Sequence, residues 1–126
     1  MPTLPAKKLA AKDNWLRSAM RIRCALAPDD PTLIGDHFAQ GRMLVHNGRM
    51  SDWEVAERDA ELLIRTARDK LLPWHWRTLC LDHVHGPLSA LRRLASCEAT
   101  RNRVAEFQWR LATLDLGPPE SRRDDF

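Results

Sequence analysis

Pro73-Trp74-His75-Trp76-Arg77-Thr78-Leu79-Cys80-Leu81 opens the stretch that decides the fold. A break at His85-Gly86-Pro87 follows, then a short apolar-patterned run over 88–96 and a longer one over 101–116. Trp76, Leu79, Cys80 and His83 recur at the α period, and so do Leu88, Leu91, Leu94 and Ala95 in the next run. In the last run Val104, Phe107, Leu111 and Leu114 line one face, and Asn102, Ala105, Trp109 and Thr113 line the other. Cys97-Glu98-Ala99-Thr100 reads as a loose link before it, with Thr100 as a candidate cap. Helix, corner, short helix, corner and longer helix is the outline of a helix-turn-helix unit.

Upstream of this unit the strongest local signal is Ser51-Asp52-Trp53-Glu54. Ser and Glu three apart form a capping box, in which each side chain satisfies a backbone N–H at the helix start. Asp52 and Glu54 at that end, with Arg68 and Lys70 near the other, suit the helix dipole. Trp53, Ala56, Ala60, Leu63, Ile64, Ala67 and Leu71 trace one face, so this helix is expected to form the backbone of the core. Before it, Asp30 is positioned to cap a helix with Pro31 at its first position and Ile34, Phe38 and Leu44 facing inward. Gly35 and Gly41 weaken that helix, or let another helix approach closely, and His46-Asn47-Gly48 ends it as a turn. The first helix is expected over 6–27, with Leu9, Trp15, Leu16, Ala19, Met20, Ile22 and Leu26 on one broad arc.

The chain thus reads as all-α, a compact bundle of five to six helices ending in a helix-turn-helix-like unit. Its 126 residues make one helical domain, with 1–5 and 118–126 expected to fray. No tyrosine, five glycines and no long β-branched run argue against a sheet. Three cysteines (Cys24, Cys80 and Cys97) are an odd number spread over predicted helices, which fits reduced thiols better than a disulfide framework. With no signal-peptide core and no apolar run of spanning length, a cytoplasmic location is the expectation.

Chemistry-bearing clusters are sparse. Cys80, Asp82, His83 and His85 lie close in sequence, but structural zinc needs two spaced ligand pairs and no second pair is evident. Cys80 and His83 share a helix face as nucleophile and base would, yet Cys80 sits between Leu79 and Leu81, where thiols are inert. There is no glycine-rich phosphate loop and no Gly-x-Ser-x-Gly elbow. We therefore expect no enzyme, no cofactor and no metal.

Charge and tryptophan say more. A net charge of +3 leans towards an acidic partner. The first helix carries six basic residues, with Arg17 and Arg21 on its outer face, against Asp13 alone. Arg101, Asn102 and Arg103 stand at the expected start of the last helix. Arg pairs with guanine and Asn with adenine, while Arg92 and Arg93 on the preceding helix are placed for the phosphate backbone. Five tryptophans are many for this length; Trp15, Trp53 and Trp76 fit inward faces, whereas Trp74 and Trp109 do not and are candidate partner anchors.

The run from Leu72-Pro73 through Gly86-Pro87-Leu88-Ser89-Ala90-Leu91-Arg92-Arg93-Leu94-Ala95 resembles sigma-factor region 4 and small phage late-gene regulators. That resemblance covers about a third of the chain and implies binding of duplex DNA or RNA polymerase through the last two helices. It departs from the family where Ser96-Cys97-Glu98 fills the turn and Val104 is displaced from the usual spacing. Two functions follow as expectations: a small DNA- or RNA-polymerase-binding transcription regulator of phage type, or an adaptor or inhibitor docking on an acidic protein surface through Trp74, Trp109 and neighbouring arginines. The first needs the arginines on one continuous surface; the second tolerates them dispersed around apolar side chains.

Overall fold

Six helices follow one another in the computed structural model, which describes residues 6–117: α1 (Ala6–Arg23), α2 (Thr32–His46), α3 (Asp52–Arg68), α4 (Trp74–His83), α5 (His85–Leu94) and α6 (Glu98–Ala112). The expected frayed ends, 1–5 and 118–126, lie outside the described residues. Among those described there is no strand, and no helix is long and apolar enough to cross a membrane.

α3 is the axle of the bundle and touches all five other helices. Its start is set as expected on one side only. Ser51 Oγ accepts the Glu54 N–H at 3.0 Å, but the Glu54 carboxylate turns out towards Arg58 and leaves the reciprocal half of the capping box unmade. Ala56, Ala60, Leu63, Ile64 and Ala67 are buried along its face. Truncating one of these large side chains, Leu63→Ala for instance, removes about 2–5 kcal/mol. Leu71 was expected on that face and is instead 91% exposed. The helix stops at Arg68, and the Asp69 carboxylate accepts the Leu71 N–H at 3.0 Å, which swings Leu71 outward.

Around α3 the main core gathers Ile22, Ile34, Trp76, Cys80, Leu88, Leu91 and Phe107, and a smaller cluster holds Trp15, Leu44, Met50 and Val55. The Trp76 indole donates to the Ile22 carbonyl at 2.9 Å and so ties α4 to the end of α1. Arg77 is 1% exposed and donates to the carbonyls of Ala67 and Leu116, joining the end of α3 to the segment after α6. Its charge meets the negative end of α3, which lowers the cost of burial.

Several boundaries differ from the sequence expectation, each for a local reason. α1 ends at Arg23, not Ala27, because Ala25 adopts a left-handed conformation (φ 50°) that closes the helix. Its inward arc is narrower than predicted: Trp15 and Ile22 are buried, but Leu16, Met20 and Leu26 are 39%, 60% and 67% exposed. α2 begins at Thr32, one residue later than expected, with Pro31 at its N-cap, and the Asp30 carboxylate accepts the Thr32 N–H at 3.0 Å. The corner before α5 falls at Val84, and Gly86-Pro87 lie inside the first turn, where proline costs no hydrogen bond. α6 begins three residues earlier than predicted, at Glu98. Thr100 is its third residue, and its hydroxyl accepts the Cys97 N–H at 3.0 Å. Of the two α2 glycines only Gly41 marks a close approach. A Cβ there would lie 2.8 Å from Val55 and 3.3 Å from Trp15, while Gly35 has open space.

Candidate protein-docking surface

The arginines predicted to meet nucleic acid stand in different surroundings. Arg103 points into the α3–α6 seam: Nε lies 3.0 Å from Glu57, Nη1 2.9 Å from Glu106 and Nη2 3.5 Å from Glu61. Its guanidinium stacks 4.3 Å from the centre of the Phe107 ring. Arg110 makes a two-pronged pair with Glu61, one prong at 2.9 Å, and holds the Glu61 carboxyl below the usual carboxylate range. Arg103 is therefore occupied by the protein's own acids. Arg101 and Asn102 are exposed, but Cys97 caps the helix, so they stand a full turn inside it and Glu98 occupies the mouth. Arg92 and Arg93 are exposed in the last turn of α5. Arg93 lines a groove with Arg42 and Phe38; Arg17 and Arg21 line a different one between α1 and α2, with Asn14, Asp36 and Gln40.

Trp74 and Trp109 are exposed, by 40% and 67%. Trp109 follows Phe107 by two positions, about 200° around the helix, so burial of Phe107 turns Trp109 to the outside. It forms one wall of a cleft of about 380 Å³ with Arg68, Lys70, Thr113 and Leu114. Among the described residues neither Arg68 nor Lys70 has a carboxylate within 4 Å. Asp115 stands on the rim, its carboxylate accepting the Gly117 N–H at 2.9 Å. The exposed Leu71 follows Lys70 directly in the chain, and Trp74 opens α4 three residues later. An indole beside two uncommitted cations is the composition of an interface anchor.

Sequence reasoning missed a buried polar chain. His37 Nδ1 lies 3.0 Å from Ser18 Oγ, and Nε2 lies 3.1 Å from Asp59 Oδ1. The ring stacks on Trp15, centres 5.3 Å apart and planes 5° from parallel. With Asp59 ionised, Nε2–H donates to the carboxylate and Nδ1 accepts the Ser18 hydroxyl proton, a tautomer fixed by the network. Burial pushes the Asp59 carboxyl above its ordinary value, against the opposing hydrogen bond from His37. At 5%, 1% and 5% exposure, Ser18, His37 and Asp59 are too enclosed to meet a substrate, and they fasten α1, α2 and α3 together. The available signal was spacing: Ser18 falls between Trp15 and Ile22, and Asp59 between Ala56 and Leu63, at the three-to-four rhythm of the apolar stripes.

The residues weighed for a metal or a nucleophile separate. Cys80 is fully buried and its thiol is pushed up to about 12 by that burial. Asp82 and His85 are exposed, while His83 packs edge-on against Phe38. Among the described residues no three His, Cys, Asp or Glu side chains gather as a metal site would require. Compared with known proteins, the chain matches no family model, no curated protein and no solved structure.

Proposed function

We infer that this chain is a protein-binding module, an adaptor or inhibitor that docks on an acidic partner and performs no catalysis of its own. The observation that carries the reading is the Trp109 cleft, where a two-thirds-exposed indole stands beside the uncommitted Arg68 and Lys70. Occupation of Arg103 by Glu57, Glu61 and Glu106 supports it from the other side, because that arginine is central to a DNA-reading α6. The test is affinity capture with the wild type beside Trp109→Ser and Arg68→Glu/Lys70→Glu. A protein held by the first and lost from both variants, at unchanged helicity, is the expected result. Identical capture by all three, or retained material that nuclease removes, contradicts it.

A second reading rests on a separate observation. Arg92, Arg93, Arg101 and Asn102 are all exposed on either side of the three-residue α5–α6 corner. On this reading the corner meets DNA or RNA polymerase, as the resemblance to sigma-factor region 4 implies, and Arg103 serves only to hold α6 in place.

A further inference from the structure

We propose that the outer face of α1 is a second docking surface, and that its occupant is an acidic amphipathic helix. The proposal rests on the protein-binding reading but not on the Trp109 cleft. α1 is apolar on two sides. Trp15 and Ile22 are buried against the core, while Leu16 and Met20 project outward and Leu26 follows in the turn beyond Arg23. Leu16 and Met20 line two adjoining depressions, one of about 550 Å³ shared with Leu62 of α3 and one of about 610 Å³ running on to Leu26. The pair therefore forms a ridge between two grooves, which is the relief into which a second helix packs.

Charge decides which helix. Arg17 and Arg21 lie one position on from Leu16 and Met20, so a basic row with i,i+4 spacing runs beside the apolar one. Neither arginine has a carboxylate within 4 Å among the described residues. The acids of the α1–α3 groove, Glu57 and Glu61, are already held by Arg103 and Arg110; Asp13 is the one acid beside the outer depression, and Asp36 lines the α1–α2 groove with Arg17 and Arg21 without coming within 4 Å of either. A helix with leucine-like residues at three-to-four spacing and a flanking row of Asp or Glu matches both rows at once. A basic helix meets like charge along its length.

The experiment titrates the full chain with a fluorescein-labelled leucine–glutamate amphipathic peptide of about five turns, ~27 Å long, and with a control in which lysine replaces every glutamate. Two variants, Leu16→Glu/Met20→Glu and Arg17→Glu/Arg21→Glu, alter only exposed side chains, and circular dichroism confirms that each folds. The expected result is saturable binding of the acidic peptide, at least about tenfold weaker in each variant and weaker with salt. Equal binding of the lysine control overturns the proposal, as does the absence of saturation at about 1 mM peptide. Loss in Trp109→Ser with no loss in the α1 variants overturns it while leaving the Trp109 reading intact. A wild-type dimer that Met20→Glu dissociates makes the occupant a second copy of the chain, and also overturns it.

Discussion

Arg103 on α6 and Glu57 on α3 meet at 3.0 Å across 46 residues of sequence, and the contact turns toward the protein an arginine that the sequence offers to DNA. The arginine also closes on Glu61, Glu106 and the Phe107 ring, so charge adds to the burial of Val104 and Phe107 in fixing α6 to α3. Arg103→Ala is therefore a stability variant. We expect a loss of about 1–2 kcal/mol, moderated by the partial exposure of the network, measured by urea denaturation. A neutral result shows that the Arg110–Glu61 pair and the burial of Val104 and Phe107 hold α6 without Arg103.

The two α2 glycines should behave oppositely. Gly41→Ala places a methyl 2.8 Å from Val55, with a predicted cost of about 1–3 kcal/mol, partly recovered by adding Val55→Ala. Gly35→Ala meets nothing within 4 Å and should stabilise by about 0.5–1 kcal/mol through helix propensity. Thermal unfolding of the two single variants and the double variant checks all three outcomes.

Removing the hub of the buried chain leaves both neighbours unpaired. His37→Ala is expected to cost about 3 kcal/mol or more, because Asp59 then sits buried without its partner. Asp59 also sets a pH dependence. Its folded value is raised above the ordinary 3.8 by burial, so the fold favours the neutral carboxyl. That contribution is fully present below the unfolded value and is lost as pH rises through the folded one. Asp59→Asn does not titrate. Wild-type stability should therefore gain on that of Asp59→Asn as the pH is lowered from about 7 towards 4, in parallel urea titrations. An opposite slope means that the pairing with His37 outweighs burial.

Cysteine labelling reads the core directly. Buried Cys80, with its thiol near 12, should resist alkylation in the native protein, while exposed Cys24 and Cys97 react. The Thr100 hydroxyl, 3.3 Å from Cys97 Sγ, holds that exposed thiol below its ordinary value, so Cys97 should be labelled readily near neutral pH. Mass spectrometry after iodoacetamide treatment gives the order. Modification of Cys80 without denaturant contradicts the packing of α4.

What the sequence made legible follows from the range of the interactions. α3 could be read because its cap and its stripe, Ser51 to Ala67, are set by neighbours within one or two turns. The outward positions of Trp74 and Trp109 could be read for the same reason. Helix ends were less legible. They depend on single side-chain contacts, such as Asp69 with the Leu71 N–H and Thr100 with the Cys97 N–H, which override propensity. The Ser18–His37–Asp59 chain and the capture of Arg103 join residues on different helices, and no periodicity within one helix encodes which polar groups will face each other. The outward ridge of Leu16 and Met20 was hidden differently. An apolar arc too broad for one interface reads, from periodicity alone, as core across its whole width.

The most direct measurement is fluorescence anisotropy of labelled duplex DNA at low and moderate salt, with the wild type beside Arg92→Ala/Arg101→Ala, both exposed at the α5–α6 corner. The protein-docking account predicts no salt-steep binding that depends on this pair of arginines. Tight binding at low salt that weakens steeply as salt rises, and weakens again in the double variant with its fold intact, contradicts that account and establishes the α5–α6 corner as a nucleic-acid surface.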